Sequence, residues 1–213
     1  MLFQSRQDAG RKLGNRLREL AVDADVVAGL PRGGITVAAA VADILQRPLE
    51  AIVVRKIGHP WHREFAVGAL AEEDVVILNR APLSDPFSDL ELQAVIEEEQ
   101  DRLRVCCAKF HEHGKASLAG LRVLVVDDGL ATGATAEAAV EYARKKHARE
   151  VTLAVPVAST TARDRLLLVA DRVIALHIDP DFEAVGQYYR DFLPITDEEV
   201  LALLHRHPAG SHA

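Results

Sequence analysis

One stretch of this chain decides its fold: Val123-Leu124-Val125-Val126-Asp127-Asp128-Gly129-Leu130-Ala131-Thr132-Gly133-Ala134-Thr135. It opens with apolar, mostly β-branched residues that do not alternate with polar ones, which predicts a strand buried on both faces. Two adjacent carboxylates end this strand. A turn with two glycines then leads into an alanine-rich segment that predicts a helix. A buried strand followed at once by a helix is typical of a parallel sheet covered by helices.

Similar apolar runs recur along the chain and alternate with alanine- and leucine-rich segments. Further strands are predicted at residues 26–28, 51–54, 151–155 and 173–176, and helices at residues 35–45, 135–146 and 161–169. This alternation predicts an α/β fold, a doubly wound sheet of about five parallel strands with helices on both faces. In such a sheet the loops at the carboxyl ends of the strands form the ligand crevice.

One long insertion interrupts this alternation at about residues 57–118. It contains an antiparallel hairpin predicted at 65–71 and 75–78, a turn-rich segment at 81–86 and a long helix predicted at 88–110. Glu99 falls on the apolar stripe of this helix, and we expect its carboxylate to reach solvent at the edge of the stripe. The alternative is that Glu99 faces the site. With this insertion, residues 1–213 are predicted to form a single domain.

Composition excludes several classes of protein. Of the 213 residues, 49% are hydrophobic and 27% charged, which is typical of a soluble globule. The net charge of -7 argues against nucleic acid and anionic membranes as partners. Apolar runs stay well short of the roughly 20 residues that span a bilayer. A polar N-terminus with Arg6, Asp8 and Arg11 argues against a signal peptide, and Cys106 and Cys107 are sequence neighbours that cannot cross-link the fold. We therefore expect a cytoplasmic protein.

The turn after the acid pair has the chemistry of an anion site. Gly129 and Gly133 let the backbone approach a ligand closely, and the amides that open the helix favour a phosphate. The hydroxyls of Thr132 and Thr135 can add donors. The Asp127-Asp128 pair would repel phosphate, so it must face a sugar diol or a cation. The alternative interpretation is a capped helix with acids in its turn.

Three other segments carry candidate chemistry, each with a structural alternative. Residues 28–35, with Arg32-Gly33-Gly34, present amides and a guanidinium at a helix start, or form a plain turn. Residues 54–64, with Arg55-Lys56, form a basic loop after the second strand, or are simply exposed. Residues 180–192 gather aromatic side chains that suit stacking on a base or closing the edge of the core. His111 and His113, two residues apart, point in different directions and predict a solvated helix end.

The segment 123–135 resembles the signature of type I phosphoribosyltransferases that binds 5-phosphoribosyl 1-diphosphate (PRPP). Residues 29–34 (GLPRGG) and 185–192 (VGxxYxDF) resemble a branch of stand-alone proteins of this family. The resemblance implies that Asp127 and Asp128 take the ribose hydroxyls and that residues 131–135 take the 5′-phosphate. It places the PRPP-binding and catalytic residues at these positions: Pro31, Arg32, Gly33, Gly34, Arg55, Lys56, Asp127, Asp128, Gly129, Leu130, Ala131, Thr132, Gly133, Ala134 and Thr135.

The same resemblance implies a reaction and its partners. Asp127, Asp128, Lys56 and Arg32 would carry catalysis, with Mg²⁺ held by the two aspartates or only through PRPP oxygens. A mobile loop after Lys56 would close over PRPP. A small hood, about residues 177–213, would place base-binding residues at Phe182, Val185, Tyr188, Tyr189 and Asp191. Similar enzymes often pair, so a homodimer is a candidate assembly.

The predicted function is Mg²⁺-dependent transfer of the phosphoribosyl group from PRPP to a nucleobase-type acceptor, with release of pyrophosphate, as in nucleotide salvage. A purine-like acceptor is favoured. However, the interval between residues 185–186 and 189–191 is shorter than in the 6-oxopurine enzymes that the hood resembles, which leaves the acceptor open. Two alternatives remain: a PRPP-binding regulatory protein without turnover, and a phospho-receiver domain, which would need an aspartate such as Asp171 to end a strand.

Overall fold

A computed structural model describes residues 2–79, 86–112 and 114–207. The helices are α1 (Arg6–Glu19), α2 (Gly33–Leu45), α3 (Asp89–Phe110), α4 (Ala134–Lys145), α5 (Thr160–Leu166) and α6 (Asp197–Arg206), with a 3-10 turn at Val185–Tyr188. The strands are β1 (Val26–Gly29), β2 (Leu49–Ala51), β3 (Val54–Gly58), β4 (Ala66–Ala71), β5 (Val75–Leu78), β6 (Arg122–Val126), β7 (Glu150–Ser159) and β8 (Arg172–Asp179).

The central sheet has five parallel strands in the order β2-β1-β6-β7-β8. Val27 pairs with Leu49 on one side and with Leu124 on the other. Along β1, Val27 faces a core shared with α1 and α2, whereas Val26 and Ala28 face a core shared with α4. Both faces of the sheet are therefore covered by helices, which confirms the predicted α/β architecture and explains why its strands are apolar throughout.

The insertion forms a second sheet of three antiparallel strands in the order β3-β4-β5. The predicted hairpin is present as β4 and β5. The prediction of one strand at 51–54 was wrong: β2 ends at Ala51, and Val54 already begins β3 in the other sheet. The apolar residues between them, Ile52 and Val53, carry the chain from one sheet to the next and are buried.

Helix α3 lies within one residue of its prediction and begins with a capping box formed by Ser88 and Glu91. Glu99 does not reach solvent from the edge of its stripe. It is only 6% exposed, and its carboxylate accepts hydrogen bonds from Arg55 (2.8 Å) and Arg102 (2.6 Å). A buried carboxylate needs such partners, so the two arginines explain why Glu99 belongs to the stripe.

The residues before α1 meet the residues that follow the 3-10 turn. Phe3 forms a β-bridge with Tyr189, and its ring lies 5.4 Å from the tyrosine ring. Helix α6 packs against α2, α3 and β2. The predicted turn residues 81–85, His113 and the chain after His207 lie outside the described residues. Among the described helices, none combines the length and the apolar character that crossing a membrane requires.

Candidate active site

A cleft of about 310 Å³ lies where β1 and β6 end. These neighbouring strands form the switch point of the sheet, because the chain continues to β2 on one side and to β7 on the other. The cleft is lined by Leu30, Pro31, Gly33, Val54, Lys56, Ala66, Asp127, Asp128, Gly129, Leu130, Ala131, Thr132, Gly133, Thr135, Ala136 and Val185. Most of the predicted PRPP-binding residues are thus brought together; Arg32, Gly34, Arg55 and Ala134 are not among the lining residues.

The two helices that start at this cleft differ from the others in their N-terminal caps. Helices α1, α3, α5 and α6 each begin with a serine or threonine whose side chain accepts a hydrogen bond from the first helical turn. Helices α2 and α4 begin at Arg32 and Gly133 with no such side-chain bond. The Ala134 amide makes only a long hydrogen bond to the Thr132 hydroxyl (3.5 Å), so the first turns of both helices can donate to a ligand, and the helix dipole favours an anion there.

The turn between β6 and α4 is held in place by hydrogen bonds to β7. The Leu130 amide donates to the Val157 carbonyl (2.9 Å), and the Ser159 hydroxyl donates to the Ala131 carbonyl (2.7 Å). Gly133 has a φ of 80°, a left-handed conformation that glycine adopts readily. Ala131 and Thr132 are exposed at the surface of the cleft. Strand β7 therefore fixes the turn from which the open amides project.

Gly33 and Gly34 give the acid pair the space it occupies. A Cβ atom on Gly33 would lie 2.1 Å from Asp128 Oδ2, and one on Gly34 would lie 2.6 Å from Asp127 Oδ1. Each side chain would thus overlap a carboxylate. The peptide bond between Pro31 and Arg32 is cis. The sequence prediction related both glycines to exposed amides; the structure adds that they let α2 begin directly against the carboxylates.

The acid pair is shielded from water and partly neutralised. Burial raises the pKa of Asp127, and the nearby charge of Asp128 raises it further. Burial also raises the pKa of Asp128, against the hydrogen bond from Arg6, which lowers it. Arg6 Nε donates to Asp128 Oδ2 (2.7 Å), and the Asp128 amide donates to Asp127 Oδ1 (2.8 Å). The charged pair therefore gains from further donors, as a sugar diol would supply.

Arg6 is a site residue that the sequence reasoning missed. Its Nη1 donates to the Leu193 carbonyl (2.8 Å), and its guanidinium lies 3.8 Å from the centre of the Phe192 ring. The hydroxyl of Tyr189 donates to the Asp128 carbonyl (2.6 Å). Arg6 is separated from Asp128 by most of the chain, and no local pattern links them. Its position on the apolar-facing side of α1 is the one signal that marks it as buried.

The predicted basic residues divide between the two sides of β3. Lys56 lines the cleft and forms no ion pair with any described residue. Arg55, its neighbour in the strand, pairs with Glu99 of α3 instead, because successive side chains of a strand point to opposite faces. Arg32 extends away from the acid pair, and its Nε donates to Asp197 at the start of α6 (2.9 Å). In this conformation Lys56 is the cation that faces the cleft.

The predicted base-binding residues mostly contact one another. Val185 lines the cleft, and a Cβ on Gly129 would lie 2.8 Å from its Cγ1 atom. Tyr188 is buried, stacks on Phe182 with 5.2 Å between ring centres, and donates its hydroxyl to Asp179 (2.8 Å). The remaining two predicted residues support the hood: Tyr189 bonds to the acid-pair backbone, and Asp191 accepts from the Leu193 amide.

The comparisons with known proteins agree with this geometry. Residues 2–192 match the family model described as "Phosphoribosyl transferase domain". The chain belongs to this phosphoribosyl transferase family. The fold likewise has the type I architecture that its signature predicts, a five-stranded parallel sheet with a separate antiparallel sheet.

Particular relatives are similar over most of the chain. The Mycobacterium tuberculosis (strain H37Rv) protein named "Putative phosphoribosyl transferase Rv0571c" is 42% identical over 207 residues, which cover 96% of this chain and 47% of that protein. The chain therefore spans about half the length of the curated relatives it matches. The crystal structure of TT1426 from Thermus thermophilus is 42% identical, with a TM-score of 0.81, 99% of this chain and 100% of that chain covered. Purine phosphoribosyltransferase from Pyrococcus horikoshii, 19% identical with a TM-score of 0.51 and 92% and 97% coverage, shares the fold.

Proposed function

We propose that this chain binds PRPP in the cleft and transfers its phosphoribosyl group to a nucleobase-type acceptor, with a purine-like base favoured, releasing pyrophosphate in a Mg²⁺-dependent reaction. One observation carries the proposal: the acid pair lies between the uncapped starts of α2 and α4. PRPP has anionic groups at both ends and a diol between them. The cleft has the complementary arrangement: a helix start that favours an anion on each side, and two carboxylates that can accept from the diol between them.

Each part of PRPP has a matching group in the cleft. The 5′-phosphate would accept hydrogen bonds from the amides of residues 131–135, with hydroxyls of Thr132 and Thr135 beside them. The ribose hydroxyls would donate to Asp127 and Asp128. The diphosphate would lie between residues 31–34 and Lys56, whose ammonium has no competing ion pair among the described residues. Arg32 would join the diphosphate by leaving Asp197.

The chemistry needs position and charge more than a nucleophilic side chain. The bond from C1 to the diphosphate oxygen breaks as an acceptor nitrogen forms its bond to C1 from the opposite face. The electron pair leaves with pyrophosphate, and the proton of the acceptor nitrogen leaves to water. Positive charge that develops on the ribose ring is stabilised by the carboxylates of Asp127 and Asp128. Negative charge on the leaving group is stabilised by Lys56. Holding both reactants in line supplies the remaining acceleration.

The two aspartates also fit the proposed Mg²⁺. Carboxylate oxygens are ligands that this ion prefers, and it is commonly held by one or two carboxylates together with substrate phosphates. Asp127 and Asp128 are the acidic side chains among the described residues that line the cleft, so they would hold it. When bound, the ion would neutralise charge on the diphosphate.

The acceptor would enter beside Val185, which offers an apolar surface over Gly129. Phe182 and Tyr188 stack on each other and are not among the residues that line the cleft, so Phe182 would stack on a base only after turning from Tyr188. This arrangement supports a flat apolar acceptor and does not distinguish purines from pyrimidines. A panel of both classes is therefore the appropriate screen.

Calorimetry with PRPP and Mg²⁺ tests the binding step. Charge-assisted hydrogen bonds contribute about 1.5–3 kcal/mol each, so the double variant Asp127→Asn/Asp128→Asn should bind PRPP more than about 100-fold more weakly. Asp101→Asn, an exposed carboxylate on α3, is the matched control and should bind normally. Normal binding by the double variant would contradict the ribose assignment.

A pyrophosphate-release assay across the acceptor panel tests the transfer step. Release that depends on one acceptor, with the ribosylated product detected by mass, is the expected result. PRPP binding without release with any acceptor would instead favour the regulatory alternative.

A further inference from the structure

A second polar cluster lies in the insertion, and its residues are not among those that line the cleft. It combines Glu72, which directly follows β4, with Cys107 and His111 at the C-terminal end of α3. The thiol sulfur, an imidazole nitrogen and a carboxylate oxygen of these residues all lie within 4.8 Å of one another. None of the three lines the cleft. We refer to these residues as the Glu72 cluster.

Helix geometry explains why two of the three side chains meet. Cys107 and His111 are four residues apart and therefore project from the same side of α3. The sequence analysis paired His111 with His113 and predicted a solvated helix end, which was wrong for His111: its side chain is only 11% exposed. Its partner, Glu72, lies just after β4 and is far away in the sequence. His113 lies outside the described residues.

The cluster already binds a cation, supplied by the chain itself. Glu72 Oε1 accepts the Val53 amide (2.8 Å) and contacts His111 Nε2 (3.2 Å), while Glu72 Oε2 pairs with the ammonium of Lys115. The same ammonium lies 4.3 Å from the centre of the Tyr142 ring. The Lys115 side chain is 25% exposed, so its end can turn to solvent without crossing the core.

Tyr142 provides an independent sign that the cluster lacks a component. Its side chain is fully buried, and its hydroxyl has no hydrogen-bond partner within residues 2–79, 86–112 and 114–207. Its ring lies beside the Lys115 ammonium that pairs with Glu72, which places the phenol next to the cluster. Buried polar groups are generally paired. An ion that brings a water molecule would give this hydroxyl a partner.

We propose that Glu72, Cys107 and His111 form a Zn²⁺ site. A thiolate, an imidazole and a carboxylate are the ligands this ion prefers, and three protein ligands leave a fourth position for water. On binding, the thiol proton of Cys107 leaves to solvent as the sulfur–zinc bond forms, and the Lys115 ammonium moves away still protonated.

Such a site would join the insertion to its own helix. The ion would connect the loop after β4 to the end of α3, and the Val53 amide would orient the carboxylate from behind. Its expected role is structural, since it lies apart from the acid pair. The proposal does not depend on PRPP binding, so either can fail without the other.

Absorbance titration of the chelator-treated protein with Co²⁺, a spectroscopic substitute for Zn²⁺, tests the site. We expect a thiolate-to-cobalt band in the near ultraviolet, tetrahedral bands in the visible, and loss of all of them when Zn²⁺ is added. Cys107→Ser should abolish the near-ultraviolet band, whereas Cys106→Ser, its sequence neighbour, should retain it. Circular dichroism confirms that both variants fold.

A second variant tests the site without removing any of its three proposed ligands. Lys115→Met removes the competing ammonium and should tighten Co²⁺ binding at least tenfold. Absence of the thiolate band from the wild-type protein, its persistence in Cys107→Ser, or unchanged affinity in Lys115→Met would each overturn the proposal.

Discussion

Replacing Arg6 by methionine tests whether the N-terminal helix supports the acid pair. Arg6 Nε donates to Asp128 Oδ2 at 2.7 Å, and the two side chains are only 10% and 15% exposed. Removing one partner of a buried ion pair leaves the other charge uncompensated and costs about 3–5 kcal/mol. For a chain of this size the variant should melt about 6–20 °C lower. Methionine keeps much of the apolar stem, so the loss reflects charge and hydrogen bonding.

Thermal and urea denaturation measure this effect against a matched control. Arg16 lies on the same helix and pairs with Glu19 at 3.2 Å, but both side chains are more than half exposed. Exposed pairs contribute about 0–1 kcal/mol, so Arg16→Met should change Tm little. The double variant Arg6→Met/Asp128→Asn should regain much of the loss because position 128 then carries no charge that needs the arginine. Equal melting of Arg6→Met and Arg16→Met, within about 2 °C, would refute the reasoning.

Three further variants probe the cleft. Burial and the charge of Asp128 raise the pKa of Asp127, so the folded protein holds this proton more strongly than the unfolded chain, and stability falls as pH rises through the folded pKa. Asp127→Asn should therefore raise Tm at pH 7 by about 2–4 °C for each kcal/mol relieved. The gain should vanish in melts below the ordinary pKa of 3.8. Lys56→Met should slow pyrophosphate release about 10- to 150-fold. Arg55→Met should instead lower Tm more and change the Kd for PRPP less, because it removes one of the two arginines that pair with the buried Glu99; the reverse pattern would exchange their assignments. Gly34→Ala places a Cβ 2.6 Å from Asp127 Oδ1 and should weaken PRPP binding in calorimetry at least about tenfold, and unchanged affinity would show that the loop yields freely.

The parallel sheet and most of the cleft could be predicted because their signals are local. The strand, acid pair, turn and helix of residues 122–145 follow one another in the chain, so a single window contains them. The hairpin β4–β5 is equally local. Strand β3 was missed: residues 54–64 were predicted as a basic loop, and Val54 was joined to the preceding strand because Ile52 and Val53 continue the apolar run of β2 without a turn residue. No pattern of apolar residues distinguishes a strand that continues from a chain that changes sheets.

The rest of the site depends on contacts between distant residues. Asp128 contacts Arg6 and Tyr189, and Arg6 in turn contacts Leu193. These residues lie far apart in the sequence and meet only in the folded chain. The different roles of Arg55 and Lys56 also depend on the fold. Arg55 faces Glu99 and Lys56 faces the cleft because α3 packs against one side of β3. Aromatic residues near a sheet edge suggested stacking on a ligand, but in the structure Phe182 and Tyr188 stack on each other.

The uncapped starts of α2 and α4 have a consequence for how the protein exchanges with its solvent. A serine or threonine cap is worth about 1 kcal/mol to a helix, and these two helices do without one. Their opening turns should therefore fray more readily than those of the other helices, and their amide protons should exchange with deuterium early. A bound anion would slow that exchange at both turns together, so the protection of two segments distant in sequence, residues 33–36 and 134–137, would report occupancy of a single cleft.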